Sequence, residues 1–238
     1  MKPWLQRSPA LLAELRSKIR TCFPSLWIGI DGSTVTLRGT LPLFDPITGI
    51  DFDRFEIAVE LPKDYPKSVP SVRETGGRIP WCPERHNTDG AACLFVPEDR
   101  GRCWPEGSDI VAFLRGPVTQ FFFGQSFYEQ HGRWPFGERS HGTVGRYEFY
   151  AETCGSDEAE VVVGFMRMIA AREPRGHWLC YCGSGHRMRA CHLQLLLGAR
   201  RLIPRKTAQD ALNQLAQDFQ RQRATTSPKE TAITSAAR

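Results

Sequence analysis

The stretch Phe55-Glu56-Ile57-Ala58-Val59-Glu60-Leu61-Pro62-Lys63-Asp64-Tyr65-Pro66-Lys67-Ser68-Val69-Pro70 changes character at Pro62. Up to Leu61, apolar Phe55, Ile57, Val59 and Leu61 alternate with Glu56, Ala58 and Glu60, the period of a half-buried strand. From Pro62 to Pro70, three prolines in nine residues fix extended geometry and remove backbone donors. An ordered loop is predicted there, leading into a short edge strand near 71–72.

Upstream, two short strands are predicted at 26–30 and 34–38, joined by a turn at Asp31-Gly32. A helix precedes them, with Ser8 as its cap, Pro9 at its first position, and Leu11, Leu12, Leu15 and Ile19 on one face. Downstream, residues 73–107 carry neither simple period, and Ile79, Trp81, Leu94, Phe95 and Trp104 favour a packed, ordered loop. Ser108-Asp109 can cap a helix that breaks at Gly116-Pro117 and resumes through the phenylalanine cluster at 121–123. A turn-rich segment anchored by Trp134 and Phe136 then leads to a short strand expected at 147–151. Helices are expected at 157–173, capped by Ser156, and from about 204 to 219. The fold class is therefore α+β: an N-terminal helix, an antiparallel meander, a long loop and C-terminal helices. The expected organisation is a domain at 1–175, a small knuckle at 176–200, a helix at 201–222 and a mobile tail at 223–238.

The hydrophobic fraction of 41% and charged fraction of 24% are ordinary for a globular protein. No apolar run reaches the roughly 18 residues of a spanning helix. The first twenty residues scatter charge without an apolar core or cleavage site, so the expectation is a cytoplasmic protein without a membrane partner. The formal charge of +5 is local. From Ala199 onward there are eight basic and three acidic residues, which leaves the first 198 balanced. That distribution argues against a nucleic-acid partner. Eight cysteines stand at 22, 82, 93, 103, 154, 180, 182 and 191. In a chain read as cytoplasmic they are individual chemical candidates, not a disulfide framework.

Arg85-His86-Asn87-Thr88-Asp89-Gly90-Ala91-Ala92-Cys93-Leu94 is the first candidate site. Small residues at 90–92 leave the approach to Cys93 open, so its thiolate can reach a carbonyl carbon or another thioester. His86 and Asp89 are close enough in sequence to bias its pKa or move a proton. Asn87 can donate to a developing oxyanion or hold the loop by bonding backbone. The competing readings are a small buried thiol, a metal site from Cys82, Cys93, Cys103 and His86, and a cysteine hydrolase drawing on His86, His131 or His141.

The order of these features resembles the ubiquitin-conjugating-enzyme fold. The resemblance covers roughly residues 8–130 and rests on the Tyr65-Pro66 loop, Cys93-Leu94 and Trp104-Pro105 in that order. It is closest to the bacterial ubiquitin-conjugating-enzyme-like proteins of short type II CBASS antiphage defence, to which the stretch from Gly132 to Gly142 is also similar. The resemblance implies a transferase that works without a dedicated activating enzyme. Cys93 would form a thioester-type adduct with the carboxyl-terminal glycine of a partner cyclic-oligonucleotide synthase, a cGAS-like nucleotidyltransferase, and prime it for antiviral signalling. The family's His-Pro-Asn triplet is here His86-Asn87-Thr88, without the proline and in a shorter loop. A carrier that stops at the adduct fits this departure better than transfer to lysine. The alternative is a catalytically inactive protein-binding module on the same fold.

Cys180-Tyr181-Cys182-Gly183-Ser184-Gly185-His186-Arg187-Met188-Arg189-Ala190-Cys191-His192 is the second candidate site. Two thiolates two residues apart, then a thiolate and an imidazole beyond two glycines, supply the soft and borderline ligands of a tetrahedral zinc site. A redox dithiol or unrelated surface cysteines are the competing readings. The segment resembles the zinc-binding tail motif of the bacterial preprotein translocase motor ATPase, whose ligands Cys180, Cys182, Cys191 and His192 match. That implies a structural Zn2+ and a small binding module. His186 is read as a surface side chain, and Arg187 and Arg189 as either a small basic contact face or solvated residues.

Overall fold

A computed structural model describes residues 3–45, 47–88, 90–135, 140 and 142–226 as an α+β fold on one antiparallel sheet. Helices α1 (Trp4–Arg7) and α2 (Pro9–Cys22) lead into β1 (Leu26–Asp31), β2 (Thr34–Phe44), β3 (Asp51–Leu61) and β4 (Ser71–Glu74). Two further strands of two residues each, β5 (Asn87–Thr88) and β6 (Ala91–Ala92), complete the order β1-β2-β3-β4-β6-β5. Along β3 the residues that alternate in the sequence, Phe55, Ile57, Val59 and Leu61, are all buried. They join Val35, Leu37, Leu41, Ile19, Phe113 and Phe122 in one core.

Four details differ from the sequence reading. The strands around Arg38 and Phe55 run longer, as β2 and β3, because their pairing continues to Phe44 and Asp51. Strand β4 is not an edge: Arg73 pairs with Ala58 on one side and Ala91 on the other. Ser8 makes no side-chain cap bond to α2, and its backbone N–H donates to the Trp4 carbonyl at the end of α1. The strand expected at 147–151 is helical, inside α6 (Gly142–Cys154). Its buried residues Arg146, Tyr150 and Cys154 recur every fourth position, a helical period.

One glycine in the sheet is fixed sterically. Gly39 has φ +130°, and an added Cβ would stand 2.2 Å from the Ser25 carbonyl oxygen. Backbone atoms cannot yield there as a flexible side chain would. Gly39→Ala is therefore expected to lower stability by about 2–4 kcal/mol. A denaturation midpoint equal to wild type would contradict this.

The Pro62–Pro70 loop docks on the segment that follows the cysteine. Trp104 Nε1 donates to the Pro66 carbonyl (2.9 Å), and Arg100 Nη2 donates to that of Lys67 (2.6 Å). The ring of Tyr65 lies between Trp4 (5.1 Å) and Trp104 (6.1 Å). After the short helix α3 (Arg100–Cys103), the Asp109 carboxylate caps α4 (Ile110–Phe113) by accepting from Val111 N–H. A wide turn through Gly116-Pro117 then admits α5 (Thr119–His131).

By backbone proximity the described residues divide into two units. One holds those up to 140 with Arg201–Ile203; the other holds Gly142–Arg200 and those from Pro204 onward. The second unit contains α6, α7 (Ala159–Ala170), most of α8 (Leu193–Leu202) and α9 (Arg205–Thr226). Ser156 Oγ accepts from Glu158 N–H just before α7. At the other end of α7, Arg200 Nη1 donates to the carbonyls of Met168, Ile169 and Ala171, and Arg205 Nε to that of Ala170. Two cations thus satisfy carbonyls the helix leaves open and meet the negative end of its dipole. Among the described residues no helix is long and apolar enough to cross a membrane.

Candidate functional site

Strands β5 and β6 pair Asn87 with Ala92 and Thr88 with Ala91, and Cys93 follows as the next residue. Its own N–H donates to the His86 carbonyl at 2.8 Å. His86 supplies that carbonyl from a left-handed conformation, φ +48°, at the end of a 3-10 turn over Pro83–Arg85. Cys93 is exposed, while Leu94 and Phe95 pack against the core. Cys93 is therefore held by its own backbone N–H and by the packing of the two residues after it, at an exposed position.

Partial desolvation by the surrounding loop pushes the Cys93 thiol up from its ordinary value, and nothing opposes it. Among the described residues no hydrogen bond to its sulfur is found. A raised pKa leaves little thiolate near neutrality, and each further pH unit adds about tenfold. Alkylation of Cys93 by iodoacetamide, followed by peptide mass, is expected to keep climbing about tenfold per unit to about pH 9. A plateau already reached by about pH 7 would contradict it.

The His86 ring packs edge-on against Trp134, with centroids 4.9 Å apart. The His86 backbone carbonyl receives the Cys93 N–H. Asn87 is 2% exposed, and its Nδ2 donates to the carbonyls of Ile79 and Pro80, both at 3.2 Å. Leaving such donors buried and unpaired costs about 1–3 kcal/mol, so in this conformation the amide holds the loop. Asp89, Phe136 and His141 lie outside the described residues. His131 closes α5, with its ring stacked on Phe127 at 4.1 Å and Nδ1 3.1 Å from the Phe127 carbonyl. Trp81, read as a packing residue, is 72% exposed instead. Its indole lies over Gly90, where a Cβ would come within 2.9 Å of the ring.

The loop is gripped by α5 through residues the sequence reading did not single out. Gln125, fully buried, accepts from Arg85 Nε at 2.8 Å and donates from Nε2 to the Arg85 carbonyl at 2.6 Å. The Arg85 guanidinium lies over Tyr128 at 4.9 Å and reaches Glu129 at 3.3 Å. Arg78 joins Glu129 to Asp53 (2.6 and 2.7 Å). Burial alone would raise the Asp53 carboxyl, but Arg78, Ser126 and the Arg54 N–H hold it below its usual range. A sequence signal existed: Gln125 and Ser126 fall three and four positions after buried Phe122, which places polar groups on an apolar helix face.

The second candidate site does assemble. Sγ of Cys180, Cys182 and Cys191 and a ring nitrogen of His192 all lie within 4.8 Å of one another. Cys180 Sγ and Cys191 Sγ are 3.3 and 3.1 Å from His192 Nδ1, and the sulfurs of Cys182 and Cys191 are 3.6 Å apart. A tetrahedral centre with metal–sulfur bonds of about 2.3 Å has sulfur–sulfur edges of about 3.8 Å, so the donors fit. Among the described residues this is the one such cluster; Cys82, Cys93, Cys103 and His86 do not form another.

The turn that gathers these donors is built from left-handed Gly183 (φ +74°) and Gly185 (φ +76°), with Cys180 N–H donating to the His186 carbonyl (2.9 Å). The Ser184 hydroxyl bonds Cys182 Sγ at 3.2 Å and pulls that thiol down to about 6, toward the thiolate a metal requires. Tyr181 packs between Phe165 of α7 (5.2 Å) and His192 (5.4 Å). Gly164 leaves it room, since a Cβ there would be 3.2 Å from the Tyr181 Cβ. His186 and Arg189 are exposed, and exposed Arg187 donates to the His177 carbonyl.

The chain matches no protein-family model, no curated protein and no solved structure.

What the two sites can do therefore rests on their own chemistry. One is an accessible thiol on a braced loop, able to carry an acyl group. The other is a preassembled set of metal donors.

Proposed function

We propose that the chain is a ubiquitin-conjugating-enzyme-like transferase with Cys93 as acyl carrier and a structural zinc ion on Cys180, Cys182, Cys191 and His192. The observation that carries the reading is the bracing of Cys93: an exposed thiol after a two-residue strand, on a loop joined to the sheet, with the Tyr65-Pro66 loop and Trp104 bonded together beyond it. The acyl donor would be the carboxyl-terminal glycine of a cyclic-oligonucleotide synthase in antiphage signalling, the partner that the sequence resemblance implies, in the cytoplasm.

In the proposed step the Cys93 thiol gives its proton to water. The sulfur adds to the carbonyl carbon of a terminal carboxyl activated as a mixed anhydride with a nucleotide phosphate, and the C–O bond to that phosphate breaks with its electron pair leaving on the phosphate oxygen. The product is a thioester. Bound zinc would supply only cross-linking of the 180–192 segment, with no part in the reaction. Mixing the protein with the synthase and its nucleotide substrate is expected to yield a species of combined mass that a thiol reagent separates.

A second reading has its own support. The raised Cys93 pKa and the engagement of Asn87 with backbone suit a binding module that kept the fold without the chemistry. Tight association with the synthase and no covalent species, under conditions where the synthase turns over, would favour it.

A further inference from the structure

We infer that Gln125 is a positioning residue for Cys93, an inference that rests on the acyl-carrier reading. The path is short. Gln125 Nε2–H donates to the Arg85 carbonyl at 2.6 Å while its Oε1 accepts from Arg85 Nε at 2.8 Å. The two bonds fix both the main chain and the side chain of one residue. The next residue is His86, whose carbonyl receives the Cys93 N–H at 2.8 Å. Position 86 is held on its other side by Trp134, which rests on Tyr128 at 4.9 Å and over Gly124, where a Cβ would meet the indole at 3.2 Å. Gly124, Gln125 and Tyr128 thus form one helix surface that sets the height of the His86 carbonyl, and through it the nucleophile's backbone.

The pairing with Arg85 has a second consequence. A buried amide with all its partners on one residue tolerates no slide of the loop along the helix, because either displacement strands a donor or an acceptor at about 1–3 kcal/mol. An acyl carrier needs its sulfur held to within a fraction of an ångström of the approaching carbonyl. Gln125 supplies that constraint from outside the loop, without touching substrate.

The test uses the full chain with two substitutions. Gln125→Met keeps the volume and removes both bonds. Gln125→Glu keeps an acceptor for Arg85 Nε and removes the donor to the Arg85 carbonyl. Amide hydrogen exchange resolved at Cys93 is expected to accelerate at least tenfold in both. Exchange in the β2–β3 pairs should stay within twofold, which separates loop positioning from loss of the fold. The single-turnover rate of adduct formation at saturating synthase is expected to fall at least tenfold, with synthase affinity changed less than twofold. If Gln125→Met does not fold, Gln125→Glu alone decides. Unchanged exchange at Cys93 in a folded variant overturns the inference, as does accelerated exchange with an unchanged adduct rate. Failure of the wild-type protein to form any adduct overturns the acyl-carrier reading instead, and the exchange arm still decides whether Gln125 sets the loop.

Discussion

A Cys180→Ala/Cys191→Ala protein is expected to lose its metal, from about one zinc per chain to essentially none, and to open the segment from 176 to 192. The four donors come from both ends of a turn whose backbone is joined by several hydrogen bonds, among them Cys180 N–H to the His186 carbonyl and Met188 N–H to that of Trp178. Met188 and Cys180 are buried beneath it. Those contacts are small beside structural zinc binding, worth about 10–16 kcal/mol in finger-sized peptides at neutral pH. Metal analysis after mild purification checks the stoichiometry, and limited proteolysis checks the opening. The helices should persist, since α7 is buried through Val162, Phe165 and Ile169 and capped by Arg200 and Arg205. Zinc retained by the double variant would show the ligand assignment to be wrong.

The knuckle is legible in the sequence for a physical reason. Its chemistry is local: thirteen consecutive residues, 180–192, hold every donor and both turn glycines. Strand β3 was legible for a similar reason, since alternation over seven residues, 55–61, separates period two from a helix. The window 147–151 was too short for that distinction. Tyr147, Phe149 and Ala151 imitate a strand, and only the wider spacing of Arg146, Tyr150 and Cys154 exposes α6. Strands of two residues, such as β5 and β6, carry no period at all. Their existence turns on β6 pairing with β4, whose residues lie well upstream, and on β5 pairing with β6, so the sequence alone places β4 at an edge.

The Cys93 site divides in the same way. The thiol, the small residues before it and the apolar pair after it are contiguous and were readable. Its support is not contiguous. Gln125 lies forty positions from Arg85, and no local pattern connects them. For Asn87 the sequence left two roles open, and the bonds to Ile79 and Pro80 describe the loop-holding one in this conformation.

Cys93 itself carries the second large effect. Cys93→Ala removes the only atom proposed to bond the acyl carbon, so adduct formation is expected to fall to background. Cys93→Ser offers a poorer nucleophile but a stabler product, because an oxygen ester resists thiol exchange where a thioester does not. The serine variant should form adduct far more slowly, and what forms should survive a thiol reagent. Neither variant should disturb the fold, because the side chain is exposed and the anchoring N–H belongs to the backbone.

The most direct measurement is intact mass after incubation with the synthase and its nucleotide substrate, with and without a thiol reagent. The expected spectrum shows one synthase chain joined to the wild-type protein, released by the thiol reagent, absent from Cys93→Ala and retained under thiol treatment in Cys93→Ser. An adduct of the same mass and lability in Cys93→Ala would contradict the assignment of Cys93 as the acyl carrier.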